Sequence, residues 1–264
     1  MKSSTWIPLA IALSLAASPA PSRAADPARV AAARRALDRG IYLKGPETLV
    51  QARAQFEALS KAEPGSARLH YWVALADWRL VPRFQDAKQA ERFCKDGLEH
   101  ADQALKLDPK LAEALALKSA LQALSLRFDP GSTMTVGLEL ETNMRRALEM
   151  APDNPRILLL DGINTLHKPT FVGGGADKAF AKLSKASQLF AAESASDSTA
   201  PVWGRQDAFI WAGRSAMTLK NYGAAREFYD RALELNPANG WVRYTLVPEL
   251  DKASAADSTG KNKP

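Results

Sequence analysis

An all-α protein built from repeated helix-turn-helix units is predicted by three observations. One pattern, Ala-Leu-x-apolar-x-Pro, recurs at Ala104–Pro109, Ala147–Pro152 and Ala232–Pro237, with a weaker copy running from Ala58-Leu59 to Pro64. The prolines at 64, 109, 152 and 237 are spaced by 45, 43 and 85 residues, and the last interval is close to twice the others, so one unit must end without a proline. No run of alternating β-branched residues announces a sheet.

Each proline-ended pattern is the last turn of an amphipathic helix. The proline ring clashes with the preceding turn and offers no N–H, so the helix stops there. The hidden unit is expected to end near residues 191–195, where the helical run Asp177–Phe190 gives way to Ala191-Ala192-Glu193-Ser194. In the last unit a first helix is expected over about Gln206–Leu219, a turn at Asn221-Tyr222-Gly223, and a second helix over Ala224–Leu235. Interruptions fall at Asp129-Pro130-Gly131-Ser132, at Lys168–Gly175 and at Ser194–Pro201. For the helix around Tyr71–Trp78 two registers stay open, one with Trp72 inward and one with it outward.

The first 24 residues have the layout of a cleaved export signal: Lys2, an apolar run from Ile7 to Ala17, helix breakers at Pro19 and Pro21, and small residues flanking Arg23. Residues 25–250 form the folded domain, and the polar stretch 251–264 lacks apolar anchors and is expected to be a disordered tail. The apolar run is too short to span a bilayer, so no transmembrane segment is expected in the mature chain. With no cysteine at the cut, a soluble exported protein rather than a lipoprotein is expected, and the absence of an Asn-x-Ser/Thr acceptor fits a bacterial periplasm.

Composition narrows the chemistry. One cysteine and three histidines exclude a disulfide framework and a Cys-rich zinc site. The net charge of +6 falls to +4 once Lys2 and Arg23 are removed, and acidic and basic residues are interleaved along the chain, which argues against nucleic acid as a partner. Gly173-Gly174-Gly175 lacks the Gly-Lys-Ser/Thr that a phosphate loop needs and carries Asp177 in the following turn, so it reads as a tight turn requiring positive φ. His70, His100 and His167 show no partner at metal-ligand spacing. Cys94 sits beside Phe93 and Leu98 as a small buried hydrophobe. Glu139 and Glu141 are two apart and point to different sides of a helix. No catalytic constellation and no cofactor is expected.

The repeats resemble the tetratricopeptide repeat. Gly213, Ala225, Tyr229, Ala232 and Pro237 fall on its small-residue, Ala, aromatic and Pro positions; Phe209 stands where the family prefers Trp, and Ala212 replaces its usual Leu. Gly40, Ala52, Phe56, Leu59 and Pro64 match in the first unit, and Gly162, Ala179, Leu183 and Ala186 in the fourth, while the two middle units are degenerate. Asn154-Pro155-Arg156, Pro169-x-Phe171-x-Gly173-Gly174-Gly175 and Pro201-x-Trp203-Gly204-Arg205 are similar to a group of exported bacterial tetratricopeptide-like proteins without an assigned activity. The resemblance implies a right-handed α-solenoid of about five units, with Trp241–Leu250 capping the last pair.

It further implies a concave groove lined by first helices. The groove-facing residues would be Arg156, Leu159 and Ile163 in the fourth unit and Asp207, Ile210, Arg214 and Met217 in the last. The aromatics concentrated in the second and last units supply inter-helix core, and some line the groove. The function expected is a non-catalytic periplasmic scaffold that binds a partner protein or peptide in that groove. The alternative is a helical small-molecule-binding protein associated with a solute transporter. Self-association as a homo-oligomer is left open.

Overall fold

The computed structural model describes residues 26–42, 45–193 and 203–260. The expected export signal, the segment Ser194–Pro201 and the last four residues lie outside them. Among the described residues eleven α-helices follow one another: α1 (Pro27–Tyr42), α2 (Glu47–Ala62), α3 (Ala67–Leu80), α4 (Ala87–Leu107), α5 (Ala112–Ser125), α6 (Thr133–Met150), α7 (Pro155–His167), α8 (Ala176–Ala192), α9 (Arg205–Thr218), α10 (Tyr222–Leu235) and α11 (Val247–Gly260). They pack as the successive pairs α1/α2, α3/α4, α5/α6, α7/α8 and α9/α10, so the chain is an all-α solenoid of five units. The unit without a proline ends at Ala192, inside the expected window.

Sequence dictates the helix starts. Ser66, Asp86, Asn154 and Asn221 each accept a backbone N–H of the following first turn through the side-chain oxygen. Asn154-Pro155 adds a proline at the first helical position, where the missing N–H costs nothing. In α4 the buried residues Ala90, Cys94, Gly97, Ala101 and Ala104 recur every three or four positions, a narrow stripe of small side chains that lets α3 approach closely.

The small residues expected in the first helices hold the pairs together. A Cβ on Gly40 would meet Leu49 at 2.9 Å, one on Gly162 would meet Leu183 at 2.5 Å, and one on Gly213 would meet the Tyr229 ring at 2.5 Å. The glycine turn is built as expected: Gly173 and Gly175 take φ of 92° and 137°. Their N–H groups and that of Gly174 donate to the carbonyls of Thr170, Thr165 and Pro169. The open register of α3 resolves without a choice, because Tyr71, Trp72 and Trp78 are all buried in a helix packed on most of its circumference.

One continuous core runs from Ala33 in α1 to Ala212 in α9. A second cluster, Ile210, Ala225, Tyr229, Val242, Leu246 and Leu250, closes the last unit, so Trp241–Leu250 caps it as expected. This capping segment starts as a π-helical turn, Val242–Leu246. The tail expected to be disordered is instead helical as far as Gly260. Ala253, Ala255 and Ala256 favour helix at no packing cost, and Arg226 holds Asp251 at its base.

Candidate functional site

In a solenoid of helix pairs the first helices, here α1, α3, α5, α7 and α9, line the concave face. Most of that face is shut by the chain itself. Trp203, at the entrance to α9, donates its indole N–H to the Tyr71 hydroxyl of α3 at 2.8 Å. Arg79 of α3 grips Asp207 of α9 with two hydrogen bonds, Nη1 to Oδ1 at 3.0 Å and Nη2 to Oδ2 at 2.6 Å. The same guanidinium lies against two neighbouring indoles, 4.6 Å from the Trp78 ring and 5.4 Å from the Trp203 ring. Asp38 and Tyr42 of α1 stand beside this clasp. Burial, only partly offset by Arg34 and Arg79, pushes the Asp38 carboxyl up to about 6.

Arg156, expected to face the groove, is 3% exposed and occupied. It pairs with both oxygens of Glu193 at 2.7 and 2.9 Å and lies over the Phe190 ring. Leu159 is fully buried, Ile163 is buried, and Asp207 belongs to the Arg79 clasp. Ile210 faces neither solvent nor groove: it packs with Tyr229, Val242 and Leu246. The physical reason is register. Asp207 and Trp211, four apart in α9, face α3 and α7, with Trp203 placed beside them by the left-handed Gly204 turn, and Ile210 turns into the core of its own unit.

Two of the expected residues, Arg214 and Met217, remain half-buried at the edge of an open surface. There the Arg214 guanidinium lies 4.5 Å from the Trp211 ring and 5.5 Å from the Trp241 ring. The two indoles meet edge to face at 6.1 Å, and His167 at the end of α7 abuts Trp211 at 5.5 Å. Trp241 is 40% and Tyr244 76% exposed. Among the described residues no carboxylate forms an ion pair with Arg214. Burial and Arg214 both lower the affinity of His167 for a proton, so the imidazole is neutral near pH 7. His167, Trp211, Trp241 and Tyr244 are not among the groove residues expected from sequence; the four-residue spacing of Asp207 and Trp211 within α9 is a signal for Trp211 alone.

Elsewhere the expectations meet mixed outcomes. Cys94 is buried, donates its thiol to the Leu121 carbonyl, and burial pushes it up to about 11. Glu139 accepts from Gln122 while Glu141 pairs with Lys168, on different sides of α6. A cavity of about 360 Å³ between α6, α7 and α8 is lined by charges already matched, Lys168 with Glu141 and Lys182 with Asp161. The histidines depart from expectation, since His70 and His100 stand with their Nδ1 atoms 2.9 Å apart. No helix among the described residues is long and apolar enough to cross a membrane.

The fold and its closed helix pairs define a tetratricopeptide-like solenoid. The tetratricopeptide repeat model matches residues 206–239, the α9/α10 unit with its proline-ended turn. Among solved structures, the chain is similar to the HusA haemophore from Porphyromonas gingivalis, at 26% identity and a TM-score of 0.62, over 74% of this chain and 96% of that one. It also shares the fold of a thermophilic tetratricopeptide-repeat protein from Thermus thermophilus, at 17% identity and a TM-score of 0.57, over 84% and 98% of the two chains. No curated protein sequence matches the chain. The protein is tetratricopeptide-repeat-like, and scaffolds of this fold commonly bind other proteins and are generally non-catalytic.

Proposed function

We propose that this is a non-catalytic, exported binding protein that holds a partner polypeptide at the carboxy-terminal end of its concave face. Arg214 carries the reading. Its guanidinium lies against the faces of both Trp211 and Trp241, is partly stripped of water, and forms no ion pair among the described residues, with Glu249 acting on it only at longer range. A cation so placed gains from a carboxylate supplied by a partner, because desolvation strengthens the pair and the indoles hold the fork rigid. Exposed Trp241 and Tyr244 supply the apolar area that interface anchors provide. Met217 is half-buried near this surface, and Leu159 and Ile163 belong to the continuous core behind the first helices. Export rests on the layout of the first 24 residues.

The test is photocrosslinking in intact cells from a reactive residue at Tyr244 or Thr218. One dominant polypeptide adduct from both positions, lost when Arg214→Glu is added, supports the reading. Absence of an adduct, or adducts only with a second copy of the chain, overturns it.

A second reading is favoured by one observation: 26% identity to a haemophore, spanning 96% of that protein. A planar anionic ligand such as haem would stack on Trp241 and Trp211, place a carboxylate on Arg214 and approach His167, consistent with small-molecule capture beside a solute transporter. Haem titration that saturates, quenches tryptophan fluorescence, and fails in Trp241→Ala and Arg214→Ala selects this reading. A titration without saturation removes it.

A further inference from the structure

An apolar face at the junction of the third and fourth units is left uncovered by the chain. Met134 on α6 is 82% exposed and Phe171, on the turn between α7 and α8, is 87% exposed; Leu138 and Val172 beside them are exposed as well. One ion pair brings the two pieces together. Met134, Leu138 and Glu141 follow one another at four and three positions, so they share one side of α6, and Glu141 reaches Lys168 at the base of the turn at 2.6 Å.

The turn presents its tip rigidly. The backbone N–H groups of Val172, Gly173, Gly174 and Gly175 all donate to carbonyls of the turn or of α7. A Cβ on Gly174 would meet the Lys168 carbonyl oxygen at 1.8 Å, so this shape admits only glycine there. It holds Phe171 and Val172 outward, where their apolar area gains nothing from the fold of a single chain.

Gly137 is the counterpart of that tip. It lies inside α6 between Met134 and Leu138, where glycine is less favourable than alanine. At Gly40, Gly162 and Gly213 the missing side chain admits a Leu or Tyr of the paired helix, but a Cβ on Gly137 would meet nothing within 4 Å. The notch opens outward, and its purpose is not served by internal packing.

We infer that this face binds a second copy of the chain about a twofold axis, with Phe171 of each copy seated at Gly137 of the other, between Met134 and Leu138. An isologous contact must be self-complementary, and this face carries both knob and notch. The rim favours the same occupant. Lys168 and Lys178 stand beside the turn, while Glu139, Glu141 and Asp177 supply the opposite sign, so a twofold copy finds matching charges where an anionic bilayer finds mixed ones. Arg214 and its indoles take no part, and the surface around them stays open in the dimer.

Sedimentation equilibrium of the untagged mature chain at micromolar concentrations tests this. A reversible monomer–dimer equilibrium is expected. Phe171→Asp removes the knob and should weaken the dimer by about tenfold or more. Gly137→Leu fills the notch while replacing a glycine inside a helix, so it should weaken the dimer by a similar factor and leave the urea midpoint at or above that of the parent. Tyr244→Ala, beside Arg214, should leave the dimer unchanged. A dimer that survives both Phe171→Asp and Gly137→Leu, or one that is lost in Tyr244→Ala, overturns the assignment. So does a chain that stays monomeric, and flotation of that monomer with anionic phospholipid vesicles would pass the face to a bilayer.

Discussion

The concave face holds two arginines in nearly the same setting. Arg79 lies against the touching pair Trp78 and Trp203, and Arg214 against the touching pair Trp211 and Trp241, with ring distances that agree to about 0.1 Å: 4.6 and 5.4 Å against 4.5 and 5.5 Å. The difference is one carboxylate. Asp207 closes on Arg79 from a helix 128 residues away, whereas Arg214 forms no ion pair among the described residues. The stacked guanidinium is thus a device used twice. Internally matched, it shuts the groove; unmatched, it is left for something outside the chain.

The largest effect follows from breaking the matched copy. Arg79→Ala strands Asp207, and Asp207→Ala strands Arg79, each in a site where both side chains are at most 10% exposed. Removing one partner of a buried pair costs about 3–5 kcal/mol. Urea unfolding followed by circular dichroism should show a loss of that order for either single variant. In the double variant the loss should be smaller than the sum, because no charge is left unpaired. A loss below about 1 kcal/mol in both singles would show that the clasp does not hold α3 to α9.

Asp38 sharpens the same comparison through pH. Its folded value of about 6 lies above the unfolded carboxylate range near 3.9, so the fold favours the protonated form. The stability this contributes is complete below about pH 4 and lost as pH rises through 6. Removing the charge should therefore help at neutral pH. Asp38→Asn is expected to exceed the parent by about 2 kcal/mol at pH 7.5, the free-energy equivalent of that raised proton affinity discounted for partial exposure, and to match it at pH 4. A difference curve that stays flat between pH 4 and 7 would remove Asp38 from the clasp.

Tyr71→Phe tests the hydrogen-bonded half of the closure. It leaves the Trp203 indole N–H buried without its acceptor, at a cost of about 1–3 kcal/mol in unfolding free energy. A cost near zero would mean that the indole packs without needing the bond.

How far these regions could be read from sequence depends on how local their causes are. Helix ends were legible because each is set by a proline, a capping Asn or Asp, or a small residue a few positions away; Gly40, Gly162 and Gly213 sit where expected and touch Leu49, Leu183 and Tyr229. In α9 the expected groove residues Asp207 and Arg214 lie on the concave face, while Ile210 does not. Ile210 looks like groove floor by repeat geometry, and only the indole contacts of Trp203 and Trp211 fix the true ridge. Closure itself left no local trace, since Arg79 and Asp207, Tyr71 and Trp203, and His70 and His100 meet only after the units stack. The same holds for Arg156: its Glu193 lies 37 residues on, at the end of the partner helix. The tail misled for another reason, because polar Ala-rich sequence lacks core anchors yet has ample helix propensity.

The smallest effect on stability belongs to the unmatched copy, and it separates a structural stack from a binding one. Arg214→Ala leaves no carboxylate stranded and removes a cation that burial already disfavours. What it loses is stacking on two indoles, about 1 kcal/mol in a half-exposed site, so its urea midpoint should stay close to that of the parent while the crosslink from Tyr244 disappears. Arg214→Lys retains the charge but not the planar fork, and should recover the midpoint without recovering the crosslink. If Arg214→Ala instead costs as much as Arg79→Ala, the two arginine–indole clusters are both structural, and the open end of the groove is no more available than the closed one.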